Sequence, residues 1–284
     1  MSNFVKIAWY GKHFGEEPPL VGGRGAGTIF FTGCNLRCVY CQNYQISQEN
    51  FGKKFSIEEL AGVMLELERL GALNIDLVSP TIWAGQIKKA IARAKKRGLK
   101  LPIVWNSNAY ESVAMLKEMA GLVDIYLPDF KYGDDDLAFK YSGVKNYTAA
   151  TKPAIGEMLR QVGNLKMSKD GLAERGLIVR HLILPGAVEN SLEVLKFIKE
   201  IDKPSTIHEK VLGENIFVSL MSQYEPVFKA KDFPGINRNL EPDEYEKVFN
   251  YLVELGLDNG WAQAPDSGSQ AVFLPDFKKE NPFA

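Results

Sequence analysis

Short apolar runs alternate with amphipathic stretches along most of the chain. The runs at 28–32, 75–79, 101–106, 123–129, 177–184 and 216–221 are rich in Ile, Val, Leu, Phe and Tyr and read as strands. Between them, apolar residues recur every three or four positions, the period of a helix with one buried face. Residues 56–71 are an example. Ser56-Ile57-Glu58-Glu59 forms a capping box, Ile57, Leu60, Ala61, Met64 and Leu67 form the stripe, and Gly71 ends it. Further helices are predicted over 85–97, 111–120, 135–141, 153–162, 191–201 and 242–256, the last opened by Pro242. Strand and helix repeat about every 25–30 residues, which predicts βαβ units on a parallel sheet. Six units fall short of the eight of a closed barrel. The expected fold is therefore α/β, a partial (β/α)6 barrel of the TIM type, in one domain spanning 1–284.

The two ends depart from this rhythm. Residues 1–26 carry Glu17-Pro18-Pro19 and then Gly22, Gly23, Gly25 and Gly27, and are predicted irregular. The glycines precede a strand instead of following one, so they are not a dinucleotide fingerprint. Residues 257–284 are expected to form a tail whose apolar run, 271–274, packs back on the domain.

The first strand leads into Gly33-Cys34-Asn35-Leu36-Arg37-Cys38-Val39-Tyr40-Cys41-Gln42-Asn43, which holds the only three cysteines of the chain at spacing C-x3-C-x2-C. A [4Fe–4S] cluster takes cysteine thiolates as ligands. Three thiolates hold three irons, and with no fourth cysteine the last iron is open to an outside ligand. A closed zinc site needs four ligands and would have to recruit His13, His181 or His208, all distant in sequence. An odd count argues against a disulfide framework. Three inert buried thiols are the remaining reading.

With Tyr40 just before the third cysteine, this motif resembles the radical S-adenosylmethionine (radical SAM) superfamily. The resemblance implies that Cys34, Cys38 and Cys41 bind the cluster and that S-adenosylmethionine (SAM) chelates the open iron. One electron then releases a 5′-deoxyadenosyl radical that abstracts hydrogen from a substrate. Pro128-Asp129-Phe130-Lys131 is similar to the D-x-K strand of the pyruvate formate-lyase activating enzyme group, where the Asp and Lys stand on the SAM side. A local ion pair is the alternative for Asp129 and Lys131. Trp105-Asn106-Ser107-Asn108-Ala109-Tyr110 resembles the D-T-N-G-F pattern of that group, with Asn106 in place of the acid. Residues 179–186 resemble its R-x-x-x-V-P-G strand, with Arg180 aimed at SAM or substrate, or held in a structural salt bridge. His181 alternates to the other face and reads as packing. The resemblance further implies that Tyr40 and Asn43 line the adenine, while Asn106, Asp129 and Lys131 hold the ribose or methionine part. Two family features are missing. Val78-Ser79-Pro80-Thr81 replaces the second-strand G-G-E pattern, leaving Thr81 and backbone carbonyls to substitute. The late histidine is also absent, with Gln223 as its polar replacement. No catalytic side chain is assigned.

Composition narrows the partners. A net charge of −1 gives no basic field for nucleic acid. The apolar runs are shorter than the ~20 residues of a membrane span. The first residues, Met1-Ser2-Asn3-Phe4-Val5-Lys6, lack a signal-peptide pattern, so a cytoplasmic location is expected. The basic residues of 85–97 read as a solvated face. The expected function is a glycyl-radical-enzyme activase-like radical SAM enzyme with a protein substrate and an electron donor such as flavodoxin or ferredoxin. Two alternatives stand beside it: a radical SAM enzyme that modifies a peptide or small molecule, and a non-catalytic iron–sulfur or zinc binding module.

Overall fold

The computed structural model describes residues 3–202, 205–207, 210–212, 216–263 and 274–283. The elements in order are β1 (Phe4–His13), α1 (Pro18–Val21), β2 (Ala26–Phe31), α2 (Tyr44–Ser47), β3 (Lys53–Ser56), α3 (Ile57–Arg69), β4 (Ile75–Val78), α4 (Ala84–Lys96), β5 (Ile103–Ser107), α5 (Val113–Met119), β6 (Ile125–Pro128), α6 (Asp135–Ser142), α7 (Tyr147–Val162), β7 (Lys166–Met167), β8 (Ala173–Leu182), α8 (Val188–Ile201), β9 (Ser205–Ile207), β10 (Lys210–Leu212), β11 (Phe217–Met221), α9 (Pro242–Glu254) and β12 (Gly260–Ala262).

The six predicted strands correspond to β2, β4, β5, β6, β8 and β11. They lie side by side and parallel, in chain order. β4, β5 and β6 are buried along their whole length, which is why they read as continuous apolar runs without alternation. β12 adds a parallel strand beyond β11, while β1 and then β3 add antiparallel strands beside β2. The order runs from β12 to β3, and among the described residues these two ends do not pair, which leaves the barrel open at one side.

The chain start is not irregular, contrary to expectation. Val5 and Ile7 are buried and Lys6 between them is partly exposed, a period-two pattern too short to stand out before a bulge interrupts it between Ile7 and Trp9. α7 also starts six residues before Pro153, the expected start of the helix over 153–162. Burial of Tyr147 holds the earlier turns despite the proline inside the helix. The tail begins as a strand, and Phe277 and Phe283 pack on Phe30 of β2. Of the apolar run 271–274, residues 271–273 lie outside the described residues, as does His208.

The sheet has two distinct faces. Its outer face carries Ile29, Leu77, Trp105 and Tyr126, packed with the stripes of α3, α4 and α8. Its inner face carries Val104, Ile125, Leu127 and Ile178, clustered with the fully buried Leu20 of α1 and with Leu165 and Ala173. The Pro18-Pro19 segment therefore plugs the barrel from within. Along β8 the alternation places Ile178, Arg180 and Leu182 inward and Val179 and His181 outward.

His181 is packing, as expected. Its Nδ1 lies 2.7 Å from the Phe130 carbonyl and its Nε2 2.8 Å from Ser191 Oγ. The carbonyl can only accept, so Nδ1 carries the proton and Nε2 accepts from Ser191. Burial lowers its pKa to about 4 from an ordinary 6.5. The unfolded chain thus binds a proton at a pH where the folded chain does not, and His181 makes stability fall as pH drops from about 6.5 toward 4. The expected slope is up to ~1.4 kcal/mol per pH unit. Urea midpoints between pH 7 and 5 check this. His181→Gln should flatten part of the slope, and an identical slope in the variant would remove His181 as its source.

Candidate active site at the barrel mouth

The cysteine loop leaves β2 at the C-terminal ends of the parallel strands, where barrel enzymes place their chemistry. Gly33 makes the exit possible. Its φ is +91°, and a Cβ there would stand 2.6 Å from Ile82 Cδ1. The loop is clamped on both sides. Arg37 N and Val39 N donate to the Ser142 and Tyr141 carbonyls at the end of α6, and Lys229 N donates to the Val39 carbonyl. Asn35 Nδ2 and Gln42 Nε2 tie it to Tyr110 O at 2.6 Å and Gln223 O at 3.1 Å.

All three cysteines line one open cavity of about 200 Å³. None is in a disulfide. Burial pushes the Cys38 thiol up to about 12 and the Cys41 thiol to about 11, so each favours its neutral form until a cation compensates the thiolate. Among the described residues no three His, Cys, Asp or Glu side chains converge on a point that could hold one metal ion. A [4Fe–4S] cluster fits the donor set: Cys34, Cys38 and Cys41 would each hold one iron, and the thiolates of Cys38 and Cys41 would gain the cation that burial makes them need.

Opposite the loop stands a charged wall on the inner face. Arg180 is its hub: Nε donates to Asp129 Oδ1 at 2.7 Å, Nη1 to Glu16 Oε2 at 2.9 Å and Nη2 to Asn106 Oδ1 at 2.5 Å. Lys131 Nζ meets the other Asp129 oxygen at 2.8 Å. Thus Asp129 and Lys131 form the ion pair read as one alternative, and they also face the cavity. Burial alone would raise the Asp129 pKa, but Arg180 and Lys131 outweigh it and hold the carboxyl below its ordinary range. Burial opposes charge on Lys131 and Arg180 as well, and the facing acids overcome it. Deeper in, Asp76 accepts from Thr28 Oγ1 at 3.2 Å, and Glu17 stands beside Arg180. Burial, reinforced by neighbouring acids, raises Glu16, Glu17 and Asp76, which favours their protonated forms. Asn106 has a clear role in this company. Its amide serves Arg180 without adding another acid.

Of the residues singled out from sequence, Tyr40, Asn43, Asn106, Asp129, Lys131, Arg180 and Gln223 all line the cavity with the three cysteines. Thr81 does not. Its hydroxyl donates to Glu111 Oε1 at 2.8 Å, and Ser79, held at φ +57°, reaches the cavity in its place. Tyr40 presents its ring while its hydroxyl turns inward to Tyr132 at 2.7 Å. Glu16, which the sequence did not single out, also lines the cavity, as do His13 and Asn108, named above only as a remote zinc ligand and as part of the Trp105–Tyr110 motif. The signal for Glu16 was an acidic pair immediately before Pro18-Pro19, which reads as a turn.

Glu111 was missed too, and it supports the wall from behind. Thr81 Oγ1, Trp105 Nε1 and Ser107 Oγ donate to it at 2.8, 2.9 and 2.8 Å, so it ties the loop after β4 to β5. It is 4% exposed. Glu111→Ala strands three donors and should cost about 3 kcal/mol of stability by urea denaturation. A loss below about 1 kcal/mol would mean that water replaces the carboxylate freely.

Comparison with known proteins agrees with this geometry. The family model described as the radical SAM superfamily matches residues 28–215. An uncharacterized protein of Methanocaldococcus jannaschii is 34% identical over 268 residues, covering 89% of this chain and 70% of that protein. The pyruvate formate-lyase-activating enzyme of Clostridium pasteurianum is 24% identical over 255 residues, 86% of this chain and 97% of the enzyme. Among solved structures, Streptococcus suis SuiB bound to S-adenosylmethionine aligns with a TM-score of 0.54 at 13% identity, covering 82% of this chain. This chain spans about half of SuiB, 48% of its length, so that likeness concerns the fold. Among the described residues no helix is long and apolar enough to cross a membrane. The chain belongs to the radical SAM superfamily, as an enzyme related to the pyruvate formate-lyase activating enzymes whose cofactors are a [4Fe–4S] cluster and S-adenosylmethionine.

Proposed function

We propose that this enzyme activates a protein partner by abstracting hydrogen from one of its glycines, with Cys34, Cys38 and Cys41 holding the cluster and the adjoining cavity holding SAM. One observation carries the reading: three cysteines on one cavity rim face a buried Arg180–Asp129–Lys131 wall, and the chain has no fourth cysteine. When bound, the cluster and SAM supply one-electron cleavage of the sulfonium, giving the 5′-deoxyadenosyl radical as hydrogen abstractor. The chain's own residues bind and orient. Lys131 and Arg180 offer positive charge to a carboxylate, and Asn106, Asn43 and Gln223 offer amides to hydroxyl and amino groups. Tyr40 and Phe30 supply ring faces, and Ser79 brings backbone to the place of the missing G-G-E pattern. An electron donor of the flavodoxin or ferredoxin kind completes the reaction, and three free thiols suit a cytoplasmic setting.

The test is anaerobic reconstitution followed by incubation with SAM and a reductant. Formation of 5′-deoxyadenosine is expected, and its absence from iron-loaded protein would sink the reading. A second reading, a peptide or small-molecule substrate, is favoured by one feature. Pro275 and Phe283 of the C-terminal segment line the cavity. A stable glycyl radical signal in a co-incubated candidate protein decides for the first reading. Product formation only on a peptide or small molecule decides for the second.

A further inference from the structure

Each of the three cysteine sulfurs meets a side-chain donor from outside the C-x3-C-x2-C spacing. Asn108 Nδ2 donates to Cys34 Sγ at 3.3 Å. Ser142 Oγ donates to Cys38 Sγ at 3.0 Å. Ser47 Oγ lies 3.2 Å from Cys41 Sγ. The donors come from three places: the loop after β5, the last residue of α6 and the last residue of α2. All three are buried. A metal-bound thiolate has no proton to give, so each bond runs toward sulfur.

The bond to Cys38 has a chain behind it. Ser142 has one hydroxyl proton, and that proton points at sulfur. Its oxygen can therefore only accept from the Tyr132 hydroxyl, 2.7 Å away. Tyr132 in turn can only accept from Tyr40, also at 2.7 Å. The result is one directed chain, Tyr40 to Tyr132 to Ser142 to Cys38. Its four members are buried, and Tyr132 and Ser142 in the middle are fully so, where successive hydrogen bonds polarise and strengthen one another.

We propose that Asn108, Ser142 and Ser47 set the reduction potential of the cluster held by Cys34, Cys38 and Cys41, with Ser142 the strongest because Tyr132 and Tyr40 stand behind it. This rests on the cluster assignment above. The reduction step adds one electron from an external reductant to the cluster, and no bond forms or breaks. The added negative charge is shared with the sulfurs. Hydrogen bonds into them stabilise the reduced state and raise the potential. These are positioning residues, because they touch the ligands and not the substrate.

The test compares wild-type protein with Ser142→Ala, Ser47→Ala and Tyr132→Phe, each reconstituted without oxygen. Iron and sulfide are counted first. The midpoint potential is then measured by dithionite potentiometry read by electron paramagnetic resonance. Ser142→Ala should lower the reduced-to-oxidised ratio at fixed potential about tenfold, ~59 mV for one electron. Tyr132→Phe should shift it the same way by less, a gradation that a merely structural role would not produce. Ser47→Ala should also shift it downward. If Ser142→Ala fails to load iron, the other two variants decide. Loaded variants with unchanged or higher midpoints overturn the proposal. Wild-type protein that takes up no iron overturns the cluster assignment as well, and the iron count separates that failure from the first.

Discussion

Replacing any one of Cys34, Cys38 and Cys41 with alanine should lower 5′-deoxyadenosine formation by at least ~10³-fold, because enzymatic accelerations start near ~10⁶ and all of this one depends on the bound cluster. The loss should come with the iron and leave the fold intact. Cys38 packs in the outer core beside Leu36 and Tyr40, and its truncation removes a single sulfur atom. The expected stability change of the metal-free protein is therefore small, about 1 kcal/mol. Circular dichroism, iron content and product yield measured on the same preparations separate these effects. A variant that keeps full iron and full product would exclude that cysteine as a ligand.

Arg180→Ala should destabilise the protein by about 3–5 kcal/mol, the usual consequence of removing one partner from a buried ion pair. Its side chain is 14% exposed and those of its partners Glu16 and Asp129 are 8% and 20% exposed, so solvent can take over little of its role. The pH dependence identifies the cause. In the wild-type protein Arg180 holds the Asp129 carboxyl below its ordinary range, so that contribution is present at neutral pH and fades as pH falls through the folded pKa. In the variant, Asp129 and Glu16 lose their counter-charge and take up protons more readily. The deficit should therefore be largest near pH 7.5 and narrow toward pH 5. Urea denaturation at the two pH values measures it, and an equal deficit at both would assign the loss to packing. Arg180→Lys keeps the charge but not the three-way fork, and should fall between wild type and alanine.

The fold was legible where one physical signal dominated. β4, β5 and β6 are buried on both faces, so their apolar runs could not be mistaken, and the capping box at Ser56 marked its helix within a residue. β1 was illegible because only Val5 and Ile7 carry its alternation before the bulge. In the site, local motifs were legible and long-range partners were not. Cys34, Cys38 and Cys41 declare themselves by spacing. Asp129 and Lys131 stand out as charges just past the end of an apolar interior strand. Glu16 cannot be read that way, because its meaning lies in Arg180, distant in sequence and reached only when α1 enters the barrel. Thr81 was misplaced for the same kind of reason. Its role is decided by Glu111, on another unit, which takes its hydroxyl. Ser142 and Tyr132 look like ordinary helix and loop residues until the fold sets them against Cys38.

The decisive measurement is electron paramagnetic resonance of the reduced, anaerobically reconstituted protein, recorded with and without SAM. If Cys34, Cys38 and Cys41 hold the cluster as proposed, one iron is left free, and a reduced [4Fe–4S] signal that changes when SAM is added is expected. A signal indifferent to SAM would contradict the account, because it would mean that the cavity built by Ser79, Asn106, Asp129 and Arg180 does not bring the cofactor to the open iron.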